Sequence, residues 1–396
     1  MATFFLLLIY LTFISLGLPD TLLGAVWPVM REDIGAALGA AGILSMVISG
    51  GTIVSSLASE RVINRFGTGP VTSVSVLATA AALLGFSQSP SFVWLIVMAV
   101  PLGLGAGAVD AALNNYVAVH YEARHMSWLH CFWGVGAFCG PMILAACIQR
   151  GYGWRAGYLV IGCIQTAIAV LLFATLGLWG RQNREKHESE AEEIGDALNR
   201  DLPKMPPLRI PGVLFALLTF LFYCAAEHSA GLWSASYLVE VRGQPETWGA
   251  RGSALFFGGI TVGRFLNGFF AQRYSGPSLI RFGVLVIMTG ALLIALPLPA
   301  EAAYVGLGVI GLGCAPVYPC MIHETPRRFG VANSQKIVGL QMAVAYCGST
   351  FLPPLLGFAA EWLGLVIFPY AVFLFGVAML VLSEGITRAV TRRRGG

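Results

Sequence analysis

Apolar runs of roughly twenty residues, the length that carries a helix across bilayer hydrocarbon, follow one another along almost the whole of this chain. Within such a helix every backbone N–H and C=O can be paired, which lipid demands. Twelve runs are counted, near 4–29, 39–59, 70–88, 92–119, 127–148, 156–179, 210–239, 248–271, 278–298, 301–323, 334–358 and 363–386. Only 11% of the 396 residues are charged, against about 25% in soluble domains. The expected class is an all-α membrane protein. The net charge of +4 gives no sign of a nucleic-acid partner; the placement of the positive charges matters more.

One long polar stretch, 181–209, divides the runs six and six. It holds basic and acidic residues together, then Pro203, Pro206 and Pro207, and reads as a solvated linker. The predicted domains are 1–180, a six-helix bundle; 181–209, the charged linker; and 210–396, a second six-helix bundle. With both termini on one side, that side holds eighteen of the 24 lysines and arginines. By the positive-inside rule the termini and linker are expected in the cytoplasm, as in a multi-pass protein of the cell membrane. The first run is too long for a signal-peptide core and is expected to be retained.

The halves repeat in parallel. Gly50-Gly51, Asn64-Arg65-Phe66 and Gly69-Pro70 correspond to Gly258-Gly259, Gln272-Arg273-Tyr274 and Gly276-Pro277 at an offset of 207–208 residues. Gly103-Leu104-Gly105 corresponds in the same way to Gly311-Leu312-Gly313, and Asp20 and Gly24 to Glu227 and Gly231. Parallel repeats of this kind place a substrate site between the halves, near the midplane.

Two acids stand inside apolar runs: Asp20 in Leu18-Pro-Asp-Thr-Leu-Leu23, and Asp110 in Gly107-Ala-Val-Asp-Ala-Ala-Leu-Asn114. A carboxylate at membrane depth costs about 2.5–3.5 kcal/mol on insertion scales and normally faces a partner or water. Two on separate helices point to a transport pathway. Asp110 and Asn114, four apart, share a helix face, and Asn115 lies about a quarter-turn away. Their amides suit sugar hydroxyls, or alternatively bonds between helices. Trp27 lies seven residues from Asp20 on one face and is read as a ring-stacking residue or an interfacial belt tryptophan. His130 and Trp133 share a face of the fifth span. Glu227 and His228 occupy the second-half counterpart of the Asp20 region. Trp233, Tyr318, Gln341 and Tyr346 are further cavity candidates, with packing as the alternative. Arg65, Arg264 and Arg273 are read as structural or gating cations.

Twelve spans in six-plus-six parallel halves with a cytoplasmic linker resemble the major facilitator superfamily. Gly263-Arg-Phe-Leu-Asn-Gly268 followed by Gln272-Arg273-Tyr274 resembles its cytoplasmic loop motif, and Gly153-Trp154-Arg155 the start of its sixth span. The loop between the second and third spans keeps Glu60-Arg61 and Arg65-Phe66-Gly67 but not the usual Asp-Arg-x-Gly-Arg-Arg. Within the superfamily, Asp20-Thr-Leu-Leu23, the Asp110–Asn114 stretch and His130-Cys-Phe-Trp-Gly-Val-Gly-Ala137 resemble the fucose permease branch, with His130 and Trp133 standing where that branch has glutamine and asparagine. The resemblance implies two six-helix bundles related by a pseudo-two-fold axis, a monomer, and secondary active transport of a sugar-like solute by alternating access, with Asp20 and Asp110 coupling protons. Glu227 is added as their repeat counterpart. A sodium-coupled importer, or a proton-driven exporter of another small molecule or drug, is the alternative.

Nothing points to a cofactor or a metal. The eight cysteines contain no Cys-x-x-Cys and read as small buried hydrophobes. The glycine strings lack the Lys-Ser/Thr ending of a phosphate loop and fit close helix approach instead. No Gly-x-Ser-x-Gly or His-Glu-x-x-His accompanies His130 and Asp110, so an enzyme is not expected.

Overall fold

A computed structural model describes residues 2–120, 123–182 and 206–395. The described residues form helices and connecting turns, with no strand among them. In chain order the α-helices are α1 (Ala2–Asp20), α2 (Leu22–Ile34), α3 (Ala40–Phe66), α4 (Thr68–Ser87), α5 (Phe92–His120), α6 (Ala123–Gln149), α7 (Gly153–Ala174) and α8 (Leu176–Gln182). Then follow α9 (Val213–Ser236), α10 (Glu246–Phe270), α11 (Gly276–Ala295), α12 (Ala300–Phe329), α13 (Val331–Leu363) and α14 (Ile367–Gly395). Among them, eleven segments are long and apolar enough to cross a membrane, α1 and α2 counting as one. The twelfth expected span is present as the 25-residue α10. Its apolar character is diluted by Arg251, Arg264, Asn267 and several glycines. The part of the expected linker from 183 to 205 lies outside the described residues.

The break between α1 and α2 follows from Pro19. Proline carries no N–H, so the carbonyl four residues earlier loses its helical partner. That carbonyl belongs to Ser15, and Gln165 Nε2 of α7 donates to it at 2.5 Å. Just past the break, Thr21 Oγ1 donates to Ala137 O of α6 at 3.0 Å. The chain is thus interrupted directly at Asp20; the carbonyl freed by Pro19 is satisfied from α7, and the Thr21 side chain ties the start of α2 to α6.

Glycines set the helix spacing. A Cβ on Gly17 would collide with the backbone of Trp133, and one on Gly136 with that of Ile14. Hence α1 and α6 touch backbone to backbone, as small residues permit in membranes. Gly103 stands likewise against Ile48, holding α5 to α3, where Thr52 Oγ1 also donates to Gly103 O at 3.2 Å. In the second repeat Gly259 stands against Gly308, and Gly283 and Gly313 meet each other.

The chain divides into two compact units. One comprises Met1–Gln182 with Gly231–Gly258 and Pro354–Val366; the other comprises Asn183–Ala230, Gly259–Pro353 and Ile367–Gly396. The sequence repeat and the compact units are therefore different divisions: the end of α9, the start of α10 and the end of α13 pack inside the first unit. Arg31 of α2 meets Glu240 at 3.0 Å there, Gly39 N–H donates to Glu361 Oε1 at 2.8 Å, and Arg251 donates to Gln149 Oε1 at 2.7 Å. A Cβ on Gly24 would collide with the Gly231 backbone, so α2 tolerates no side chain at this crossing. At this end of the molecule, segments of both repeats are knitted together.

Candidate functional site

Asp20 ends α1 at its break, exposed rather than packed away. Trp133 Nε1 of α6 donates to Asp20 Oδ2 at 2.9 Å. The tight α1–α6 contact at Gly17 and Gly136 brings that indole within reach. Trp133 in turn meets the edge of Phe257, with ring centroids 6.4 Å apart. On α5, Asn114 Nδ2 donates to Asp110 Oδ1 at 2.9 Å and to the Asp110 carbonyl at 3.0 Å. The two carboxylates lie within electrostatic reach of each other. Among the described residues neither has an ion-pair partner. His130 lies one turn from Trp133 and meets Phe13 edge-on at 6.0 Å between centroids. The first unit thus gathers Asp20, Asp110, Asn114, His130 and Trp133. Two acids, an amide, an imidazole and an indole can exchange protons and hydrogen-bond a polar solute. The side chain of Asn115 lies outside the described residues.

A second polar cluster stands in the other unit. Glu227 of α9 faces Arg264 of α10, with 3.6 Å between the charged atoms and both side chains largely shielded. The buried Tyr223 lies one turn before Glu227, close enough to feel its charge. Tyr223 and Phe220 pack against Tyr318 of α12, whose hydroxyl donates to Met342 Sδ at 3.3 Å. The four-residue spacing of Tyr223 and Glu227 puts both on one face of α9. His228, on the next position, is turned outward, and its Nδ1 is 3.0 Å from the Cys224 carbonyl.

Other expected site residues stand in packing positions. Trp27 is fully buried and donates from Nε1 to Leu38 O at 2.9 Å, tying down the turn after α2. Its ring has no free face for a solute. Trp233 is also fully buried, against Gly357. Gln341 is buried too, accepting from Thr325 Oγ1 at 2.9 Å. Tyr346 is partly exposed. Arg65 and Arg273 are exposed, Arg65 lying over the ring of the adjacent Phe66. Arg155 of the Gly153-Trp154-Arg155 motif pairs with Asp33, to which Trp154 Nε1 also donates at 3.1 Å. That motif anchors the start of α7 to the end of α2. Among the described residues no group of histidine, cysteine and acidic side chains has the arrangement to hold a metal.

Sequence reasoning passed over Gln165, which repairs the Pro19 break, and Tyr223. Each is a polar side chain in an apolar run, which is the signal that singled out the acids; neither carries charge, so neither stood out.

The profile of the Major Facilitator Superfamily matches residues 9–329. The chain belongs to that superfamily. Among curated proteins, it is similar to Bypass of stop codon protein 6 of Saccharomyces cerevisiae, 26% identical over 94% of this chain and 80% of that one. It is also similar to the glucose/mannose transporter GlcP of Bacillus subtilis, 23% identical over 78% of this chain and 77% of that one. Among solved structures, a bacterial homologue of the human lysosomal transporter Spinster, inward-facing and occupied, superposes with a TM-score of 0.76. That likeness covers 98% of this chain and 97% of the other at 14% identity, and it shows the fold alone. This superfamily member is a multi-pass membrane transporter of small solutes, with the major facilitator fold, and not an enzyme.

Proposed function

We propose that the chain is a proton-coupled carrier of a sugar or a similar polar small solute, working by alternating access. The carrying observation is the pair of membrane-depth acids, Asp20 and Asp110, held by neutral donors and with no cation paired to either among the described residues. An acid with only neutral partners can take up and release a proton without stranding a buried counter-charge. Trp133 joins substrate to proton in this reading. It offers a ring face for a sugar and an N–H for Asp20, so a solute that shifts the indole alters the acid.

Glu227 is assigned differently from its repeat counterpart. Glu227 faces a guanidinium 3.6 Å away with both side chains largely shielded, so we read it as a counter-ion that holds α9 to α10. Asn114, His130, Trp133 and His228 are proposed to contact the solute, with Tyr318 and Tyr346 bordering it; Trp27 and Gln341 are proposed as packing residues. Arg65 and Arg273 are proposed to act at the helix ends in gating. The glucose/mannose transporter among the relatives supports a sugar class, as does the fucose permease pattern around Asp20, Asp110 and His130. The excess of basic residues in the linker, the C-terminal tail and the loops on the same side supports a cytoplasmic location for the linker and both termini in the cell membrane. A monomer is proposed, each chain carrying its own pathway.

The test is uptake into liposomes holding the purified protein, screening hexoses, pentoses, polyols and glycosides under imposed proton and sodium gradients. Accumulation of one class that follows the proton gradient is the expected result. Uptake that tracks sodium and ignores pH, or proton-driven efflux of an apolar compound alone, would replace this reading with an importer or exporter of another kind.

A further inference from the structure

Tyr223 brings a hydroxyl into the interior of the second unit. The residue is 0% exposed, and among the described residues its buried hydroxyl has no hydrogen-bond partner of proper geometry. A buried donor left this way is costly. The ring is held in place: Phe220 stacks on it at 6.2 Å between centroids, and Tyr318 of α12 lies against it at 6.3 Å. Glu227, one turn further along the same face of α9, is close enough for its charge to reach that hydroxyl.

The carboxylate of Glu227 is not firmly held elsewhere. Arg264 Nη2 stands 3.6 Å from Glu227 Oε1, longer than a hydrogen bond. The backbones on either side are pinned. Gly348 of α13 leaves no room for a Cβ against Leu221 O of α9, and Gly259 and Gly263 of α10 leave none against Gly308 O and Ala315 of α12. Around this cluster α9 and α10 are each fixed to a neighbour, so the freedom that remains belongs to the side chain of Glu227.

We propose that Tyr223 is a second station for the Glu227 carboxylate, a positioning residue that receives the acid whenever it leaves Arg264. This rests on the reading of Glu227 as a counter-ion to Arg264. A phenol has one O–H to donate and a carboxylate only accepts, and a charge-assisted O–H···O⁻ bond is among the stronger ones. An acid that moved off a cation within a span, with no donor to meet it, would be stranded as a buried charge. Tyr223 meets it without adding a charge, as Trp133 does for Asp20 in the first unit. The tie between α9 and α10 can then loosen while the carboxylate stays bonded.

Unfolding equilibria of the purified full chain in mixed detergent test this through a cycle of variants. In the parent, Tyr223→Phe should change the folded-to-unfolded ratio by no more than about threefold, because the hydroxyl it removes has no partner there. In an Arg264→Gln background the acid rests on Tyr223, and the same change should lower the ratio by about tenfold or more. Whatever else Arg264 touches cancels between the backgrounds. Arg264→Lys keeps the charge but lacks the planar fork; it gives the same comparison with a smaller excess if Arg264→Gln folds poorly. The phenol C–O stretching band of Tyr223, identified in the infrared by its absence in Tyr223→Phe, should also shift when Arg264 is replaced. Equal costs of Tyr223→Phe in every background, or a band that does not move, would overturn the proposal and leave Tyr223 as packing. A costless Arg264→Gln would count against the ion pair and not against Tyr223, whose role is read from the difference between backgrounds alone.

Discussion

In the first unit Asp20 accepts a hydrogen bond from Trp133 and stands within electrostatic reach of Asp110. In the second, Glu227, its counterpart by repeat, faces Arg264 at 3.6 Å. The positions correspond in sequence at an offset of 207 residues, yet they have acquired opposite surroundings. Neutral donors around an acid allow its charge to come and go. A fixed guanidinium beside an acid makes a pair that is expensive to break from either side. Duplication supplied two corresponding acids, and neighbouring helices gave one an indole donor and the other a guanidinium.

The largest effect expected is at Asp110. Asp110→Asn should abolish concentrative, pH-driven uptake while leaving substrate counterflow intact; normal accumulation by that variant would remove Asp110 from coupling and break the contrast. Next comes the ion pair. Arg264→Gln leaves Glu227 without its partner and should destabilise the folded protein by about 3 kcal/mol, measured by unfolding in detergent. The double variant Arg264→Gln/Glu227→Gln should recover most of that loss. If the double variant were no better than the single one, the pair would not be the brace we describe.

Trp133→Phe keeps a ring and deletes one donor to Asp20. A hydrogen bond to a charged group is worth about 1.5–3 kcal/mol, so a shifted pH optimum for uptake and a solute affinity lowered by roughly tenfold are expected. An unchanged pH profile would detach the indole from coupling. Smallest of all, Trp27→Phe should cost about 1 kcal/mol of stability through loss of its bond to Leu38, with solute affinity unchanged. A large loss of affinity would return Trp27 to the binding site.

Hydrophobic runs alone identified the helices, because crossing lipid requires length and apolarity that are written residue by residue. The least apolar span, α10, was also visible, since its ends are marked by polar turns. The acids were legible for the same reason: charge inside an apolar run stands out. The roles of aromatic residues were not. Trp27 and Trp133 look alike as tryptophans inside apolar runs, but Leu38 claims one indole and Asp20 the other. That choice depends on which acceptor lies within 3 Å of each indole N–H, and for Trp133 the helix spacing at Gly17 and Gly136 decides it.

The chain's own order of residues therefore determined that it is a duplicated, helical membrane protein with acids at depth, since solvation by lipid acts on each segment separately. Only the packed structure decided which acid met a cation and which did not, that Gln165 repairs the break at Pro19, and that Tyr318 holds Tyr223 beside Glu227. Those outcomes join residues tens to hundreds of positions apart, and short-range physics at helix crossings selects among them after the spans have formed.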